Sequence, residues 1–196
     1  MKTTIILSHP WHGSFNKAIM DSVVNQLEQA KKAYQVIDLN KVAFNPVLEE
    51  KDLALFSKGE TTDPMVQKYQ HMLMETDELV FIFPVWWFGI PAILKGFFDK
   101  VMLKDFAYIE GKTGLKGLLT HIKRTTVITT SELPTWYLIL FSGNPIKGTF
   151  IRSTLRGIGL KKVKWLNSGM TSSGKKITRT NFLHKVKMRF SRYQLV

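Results

Sequence analysis

Two hydrophobic periods alternate along this chain. Short apolar, β-branched runs are typical of buried strands, and they occur at residues 3–8, 34–39, 79–83, 124–130 and 161–166. Between these runs, apolar residues recur every three or four positions, which predicts amphipathic helices. The helical segments are residues 14–30, 64–73, 91–102, 146–157 and 174–192, with a single helical turn at 53–56.

This alternation predicts the fold class. Strands that alternate with helices across short connections favour right-handed crossovers and an α/β fold built on an open, doubly wound parallel sheet. The run at 79–83 is apolar without interruption, as expected for a central strand covered on both faces. No linker, repeat or composition break divides the 196 residues, so we expect one domain over residues 1–196.

Composition excludes several classes of protein. With 44% apolar and 22% charged residues the chain can bury a large core. It has no cysteine, which excludes disulfide scaffolds, thiolate zinc sites and cysteine nucleophiles, and we expect a reducing, cytoplasmic location and no metal site. The longest uncharged stretch, residues 79–94, is broken by Pro84, Gly89 and Pro91, and a membrane span needs about 20 residues.

The net charge of +13 suggests a nucleic-acid or membrane partner, but it is unevenly placed. Residues 1–110 carry 11 basic and 14 acidic side chains, whereas residues 111–196 carry 17 basic ones and only Glu132 as an acid. The last predicted helix would bury Phe182, Val186 and Phe190. Its cations would form either a solvated helix face or a docking surface for a membrane protein or anionic surface. These cations are Lys175, Lys176, Arg179, Lys185, Lys187, Arg189 and Arg192.

Candidate chemistry lies in three loops. In an open parallel sheet the ligand binds outside the carboxyl ends of the strands, at the switch point of strand order. The loops that follow predicted strands there are residues 8–16, 84–90 and 129–137. If the strand order is 2-1-3-4-5, all three loops converge on one crevice.

The first loop has the features of an anion site. The Ser14 hydroxyl, the amides of Phe15 and Asn16 and the start of a helix would together suit a phosphate. The simpler interpretation is that Ser14 only caps the helix. His9 is either a ligand contact or a structural hydrogen-bond partner.

The second loop favours a flat ligand. Trp86, Trp87 and Phe88 follow a strand and precede Gly89, so they cannot all face a core. Gly89 would allow close approach of the backbone to the ligand. The alternative is an aromatic surface patch for a protein partner.

The third loop offers the hydroxyls of Thr129, Thr130 and Ser131, followed by Tyr137, whose phenol could stabilise a developing oxyanion. The apolar run at 136–141 could equally be a helix packed on the core. The chain lacks G-x-G-x-x-G after the first strand, the G-x-S-x-G elbow and the H-E-x-x-H zinc helix, which argues against dinucleotide-binding Rossmann folds and hydrolases.

Residues 14–16 and 83–99 resemble the flavodoxin-like NAD(P)H:quinone reductases, a family that includes bacterial modulators of drug activity. The resemblance implies a flavodoxin-like five-stranded parallel sheet of order 2-1-3-4-5 with helices on both faces. It places the flavin phosphate at His9, Ser14, Phe15 and Asn16. The isoalloxazine ring would lie on Pro84, Val85, Trp86, Trp87, Phe88 and Gly89, and its polar edge on Thr129, Thr130 and Ser131.

The resemblance also implies a reaction. NAD(P)H would reduce bound FMN, or alternatively FAD, and a quinone or nitroaromatic would then be reduced by a ping-pong mechanism in a homodimer. Tyr137, and less strongly Asn144, would polarise the acceptor oxygen. The chain departs from the animal enzymes at Ser131 and Glu132, where they have two glycines, and at 143–144, where they have a histidine. The alternatives are a flavodoxin-type electron carrier and a flavin-binding module that docks on a membrane protein or other acidic partner; nucleic acid is disfavoured.

Overall fold

A five-stranded parallel sheet forms the centre of the protein. The computed structural model describes residues 1–42, 44–112 and 114–191. The strands of the sheet are Thr3–Leu7 (β1), Tyr34–Asp38 (β2), Glu78–Pro84 (β3), Arg124–Thr130 (β6) and Val163–Ser168 (β7). Their spatial order is β2-β1-β3-β6-β7, all neighbours parallel, so the predicted order 2-1-3-4-5 is confirmed.

Helices cover both faces of this sheet, as predicted. They are Phe15–Gln29 (α1), Glu50–Phe56 (α2), Pro64–Met74 (α3), Ala92–Val101 (α4), Thr135–Leu140 (α5), a π-helix at Ile146–Leu155, and Lys176–Ser191 (α6). On one face α1 and α6 pack against Ile5 and Ile82. On the other face α3, α4 and the π-helix pack against Phe81 and Phe83. Because both faces are covered, every residue of β1 and β3 is buried.

The last helix buries the predicted stripe. Phe182, Val186 and Phe190 are almost completely buried, and the Phe182 ring lies 6.2 Å from that of Phe15 on α1. The predicted end of this helix at Arg192 lies outside the described residues. In the described part of the chain, no helix combines the length and the apolar character that crossing a bilayer requires.

The structure differs from the sequence-based elements in two places. A hairpin of Tyr108–Gly111 (β4) and Gly114–Gly117 (β5) was not predicted, because its largely exposed residues show no buried alternation. The helix predicted at 146–157 is a π-helix over most of its length. Its buried residues are Ile146, Phe150, Ile151 and Leu155, so buried positions return after four or five residues, which suits the wider π turn.

Candidate active site

The three loops meet at the carboxyl edge of the sheet. The Asn16 Nδ2 group donates to Thr130 Oγ1 at 2.9 Å, which joins the first loop to the end of β6. The Val85 amide donates to the Thr130 carbonyl at 2.7 Å, which joins the second loop to the same residue. Thr130 therefore fixes the three loops relative to one another.

The first loop has unfilled hydrogen-bonding groups at the start of α1. Ser14 caps the helix, its Oγ accepting from the Lys17 amide at 3.2 Å, as predicted. Within the described ranges, the amides of Phe15 and Asn16 find no acceptor, as is usual for the first turn of a helix. The buried Oδ1 of Asn16 and Oγ of Ser8 have no hydrogen-bond partner there either.

These groups fit a phosphate ester. Two free amides and the positive end of a 15-residue helix favour an anion. Thr130 can donate as well as accept, so a rotation of the Asn16 amide would present its NH₂ group in place of the orphaned oxygen. The Phe15 ring faces α6, so only the backbone of Phe15 is directed to this site.

His9 is half-buried beside the second loop. Its Nδ1 accepts from the Trp11 amide at 3.1 Å, and its ring centroid lies 5.8 Å from that of Trp86. Burial lowers the pKa of His9 below its ordinary value, although the Trp11 contact opposes the shift. A neutral ring that accepts at Nδ1 carries its proton on Nε2, which is then a donor for a ligand oxygen.

The second loop contains a tight turn at residues 86–89 with a strained backbone, which we call the aromatic turn. The Trp86 amide donates to the Gly89 carbonyl at 3.2 Å, and the Gly89 amide donates to the Trp86 carbonyl at 2.9 Å. Trp87 and Phe88 between them have φ of 47° and 62°, the pattern of a type I′ turn that normally uses Asn and Gly. The positive φ angles therefore fall on the two aromatics and not on Gly89, where an added Cβ would have room.

A cavity of about 510 Å³ lies beside this turn. Its size is within the range of small-molecule sites, and its walls are mainly apolar. It is lined by Val85, Trp86, Trp87, Phe88, Ser131, Glu132, Leu133 and Leu138. The sequence patterns did not indicate Glu132, Leu133 and Leu138 as site residues, although Glu132 and Leu133 closely follow the end of β6. Pro84 is buried at the end of β3, behind the turn.

The hydroxyls of the third loop have different environments. Thr129 is fully buried and turned toward β7, donating to Asn167 Oδ1 at 2.7 Å and accepting from Trp165 Nε1 at 2.8 Å. Ser131 lines the cavity, and its Oγ donates to the Leu133 carbonyl at 2.7 Å and accepts from Asn167 Nδ2 at 2.9 Å. Asn167, which the sequence did not single out, thus holds two of the three predicted hydroxyls.

Tyr137 and Asn144 lie next to the cavity without lining it. Tyr137 is on α5 beside the cavity residue Leu138, and its ring lies 5.5 Å from that of Phe141. Asn144 has a φ of 50°, its amide donates to the Leu138 carbonyl at 2.9 Å, and its Oδ1 is buried without a partner in the described structure. The run at 136–141 does form a helix, but only Leu138 is buried in it, so it is not packed on the core.

Comparison with known proteins finds a matching family model and relatives of similar sequence. The family model described as flavodoxin-like fold matches residues 1–184. NAD(P)H dehydrogenase (quinone) 1 of Cavia porcellus is 32% identical over 152 residues, which are 69% of this chain and 55% of that protein. The chain therefore spans about half the length of the curated relatives it matches.

Solved structures agree over almost the whole chain. Smu.1420 from Streptococcus mutans UA159 is 32% identical with a TM-score of 0.85, covering 98% of this chain and 100% of that one. NAD(P)H:quinone oxidoreductase from Methanothermobacter marburgensis has a TM-score of 0.87 at 24% identity, covering 97% and 98% of the two chains. At 24% identity, the similarity to the Methanothermobacter marburgensis protein shows a shared fold only.

Proposed function

The chain belongs to the flavodoxin-like fold family, and from this premise we propose that it is a flavin-dependent NAD(P)H oxidoreductase that reduces a quinone or similar small acceptor. Relatives named NAD(P)H dehydrogenase (quinone) and NAD(P)H oxidoreductase support the reaction class. The observation that carries the proposal is the junction, at one sheet edge, of an anion site with an aromatic-walled cavity.

The chain's own residues would hold the cofactor as follows. The Phe15 and Asn16 amides, the Ser14 cap and the His9 Nε2 proton would bind the phosphate of the flavin. Trp86, Trp87 and Phe88 with Val85 would line the ring, and Ser131 would face its polar edge. Thr130 would position these groups through its bonds to the other loops, and Thr129 would do so through Asn167. We propose FMN, with FAD as the alternative, because the described loops offer one anion site.

When bound, the flavin would supply two-electron chemistry, accepting hydride from NAD(P)H and reducing a quinone or nitroaromatic in a second half-reaction of a ping-pong cycle. The protein would contribute position and exclusion of water. The aromatic turn and Leu133 make the cavity apolar, so that a flat donor or acceptor is desolvated on entry. Tyr137, next to the cavity, would donate a hydrogen bond to the acceptor oxygen, and Asn144 is the second candidate for this role.

The absorption spectrum of the purified protein tests this function. We expect the visible bands of an oxidised flavin, release of FMN on denaturation as measured by mass spectrometry, and bleaching of the bands by NADPH or NADH without oxygen. A quinone should restore the bands. Asn16→Asp places a negative charge at the anion site and should lower flavin affinity. A colourless protein that cannot be reconstituted with flavin would contradict the proposal.

Anaerobic reduction by NADPH or NADH also distinguishes a reductase from the two alternative functions. An electron carrier of the flavodoxin type, or a module in which flavin is structural, would bind flavin but show no bleaching with either nicotinamide. The strong excess of basic residues after position 110 is the observation that favours a docking module. A reductase could use those charges to attract the phosphates of NADPH.

The homodimer belongs to the same proposal. Next to α4, an apolar groove of about 340 Å³ is lined in part by Phe98, Met102, Tyr108 and Leu115. Leu115 on the hairpin is 61% exposed. Exposed apolar surface of this kind is typical of a subunit interface, and we assign this groove to contact with a second copy of the chain.

A further inference from the structure

The short helix α5 exposes several large apolar side chains. Trp136, Leu140 and Phe141 are 57%, 70% and 69% exposed, and we call these three residues the α5 ridge. The Trp136 and Phe141 rings lie 6.0 Å apart, so the ridge is contiguous. Contiguous apolar side chains exposed on a protein surface are typical of an interaction site, whereas single exposed apolar residues are common everywhere.

The α5 ridge adjoins the mouth of the candidate active site. Leu138, on the same helix, lines the cavity of about 510 Å³. Trp87, at the tip of the aromatic turn, lines that cavity too and is 98% exposed. None of the ridge residues lines the groove assigned to the second copy. The ridge is therefore a separate surface that continues the apolar wall of the site.

Exposed cations occur in the segments that follow the α5 ridge along the chain. Lys147 follows it at the start of the π-helix, and Lys175 and Lys176 precede and begin α6. The segment before α6 is held against the third loop, because the Thr171 amide donates to the Ser131 carbonyl at 3.1 Å. All three lysines are exposed, and in the described part of the chain none of them forms an ion pair.

The half of the chain that carries the ridge and these lysines has almost no negative charge. Glu132 is the one acidic side chain after residue 110, and its carboxylate contacts the amide and hydroxyl of Ser172. A symmetric contact between two copies through this surface would bring the same lysines together, which like charge disfavours. Anionic groups next to an apolar phase are the complement of this surface.

We propose that this edge of the molecule docks on a bilayer containing anionic phospholipid. The α5 ridge would lie in the interfacial region, where tryptophan and other amphipathic aromatics are favoured, and Lys147, Lys175 and Lys176 would contact headgroup phosphates. A six-residue helix is far too short to span the bilayer and rests in its surface. The cavity would then open toward the membrane. That a lipid-soluble quinone enters from there rests on the proposed function, whereas the docking does not.

Flotation with vesicles tests the docking. We expect the flavin-containing protein to float with vesicles of phosphatidylcholine and phosphatidylglycerol, and more weakly with phosphatidylcholine alone. The double variant Leu140→Ser/Phe141→Ser should lower partitioning by about 10-fold or more, because two large side chains no longer leave water. Lys175→Gln/Lys176→Gln should lower the preference for the anionic vesicles. Leu53→Ser, which changes a leucine 58% exposed on α2, is the matched control and should bind like the unmodified protein.

A second readout does not depend on the double variant folding well. Brominated lipids should quench tryptophan emission of the unmodified protein, and Trp136→Phe should lose part of that quenching. Failure to float, an equal effect of Leu53→Ser, or a ridge variant that dissociates a dimer without changing flotation would overturn the proposal; the last result would assign the ridge to a second copy. Flavin content and NADPH bleaching, measured in solution on the same samples, report the proposed function separately.

Discussion

Trp87 occupies a backbone conformation that its side chain does not favour and makes few contacts in return. Its φ is 47° and its side chain is 98% exposed. A bulky residue in the left-handed region costs about 1–2 kcal/mol. Strain of this kind is found mainly at ligand sites, which supports the proposal that Trp87 contacts the flavin ring.

Trp87→Gly should raise the stability of the flavin-free protein and lower its affinity for flavin. Glycine adopts the positive φ freely and little buried surface is lost, so we expect the flavin-free protein to gain about 1 kcal/mol, or roughly 2–4 °C in Tm. Flavin affinity should fall, because the exposed ring no longer covers the ligand. Thermal unfolding and flavin titration measure the two effects. Trp11→Gly is the control, since Trp11 is exposed but has no positive φ, and it should not stabilise.

His9 should give acid sensitivity to the flavin-free protein. Burial lowers its pKa in the folded chain below the ordinary 6.5. Between the two pKa values the unfolded chain binds more protons, so stability is full above pH 6.5 and falls as pH drops toward the lowered pKa. Urea unfolding of the unmodified protein and of His9→Gln should show a difference that shrinks on acidification. A difference independent of pH would contradict this.

At the scale of elements, a buried ion cluster holds α2 in place. Lys100 on α4 is 3% exposed, and its Nζ lies 3.2 Å from Asp52 on α2 and 3.4 Å from Asp63, the N-cap of α3. Burial pushes the pKa of Asp52 up, but hydrogen bonds from the Glu49 amide and Lys100 bring it below its ordinary value. Because α2 has no buried residue of its own, this cluster is its main attachment to the core.

Lys100→Met should therefore be strongly destabilising. It leaves two carboxylates facing each other in a poorly hydrated place, and removal of one partner of a buried ion pair costs about 3–5 kcal/mol. Urea unfolding measures the loss, and protease cleavage within 49–63 should increase. Lys51→Met, which removes an exposed partner of Glu49 on α2 itself, is the matched control and should have little effect. Equal stability of the two variants would refute the attachment role.

The molecule as a whole presents two apolar surfaces and one strongly basic half. We propose different partners for the groove beside α4 and for the α5 ridge, namely a second copy of the chain and a bilayer. The excess of basic residues lies after the first two loops of the candidate site, which follow β1 and β3, so the positive charge is not what builds these loops. We expect this charge to act between molecules, by attracting an anionic donor, a partner or a lipid surface.

Leu115→Ser tests the assignment of the groove. If the groove is the interface, this change should raise the dimer dissociation constant by about 10-fold or more, because a leucine no longer leaves water on association. Sedimentation over a range of concentrations measures it. Leu53→Ser, with similar exposure, should leave the dimer intact, and a dimer unaffected by Leu115→Ser would place the interface elsewhere.

The sequence by itself determined the sheet, its helices and the loops that carry chemistry. Local periodicity is enough to mark β1, β3 and β6 as buried strands, and Ser14 as the cap of α1, because these features depend on neighbouring residues. Strand alternation with short connections then leaves few topologies, and the resemblance to the quinone reductases selected the observed order.

Only the tertiary structure decided which groups of those loops face the site. Thr129 and Thr130 are adjacent in sequence, yet one binds Asn167 and the other Asn16, since successive residues of a strand point to opposite faces. The cavity walls at Leu133 and Leu138, the positive φ of Trp87 and Phe88, and the exposure of the α5 ridge depend on packing between segments distant in the chain. Neither hydrophobic periodicity nor a sequence motif indicates such contacts, because they form only when the fold brings β6, α5 and the aromatic turn together.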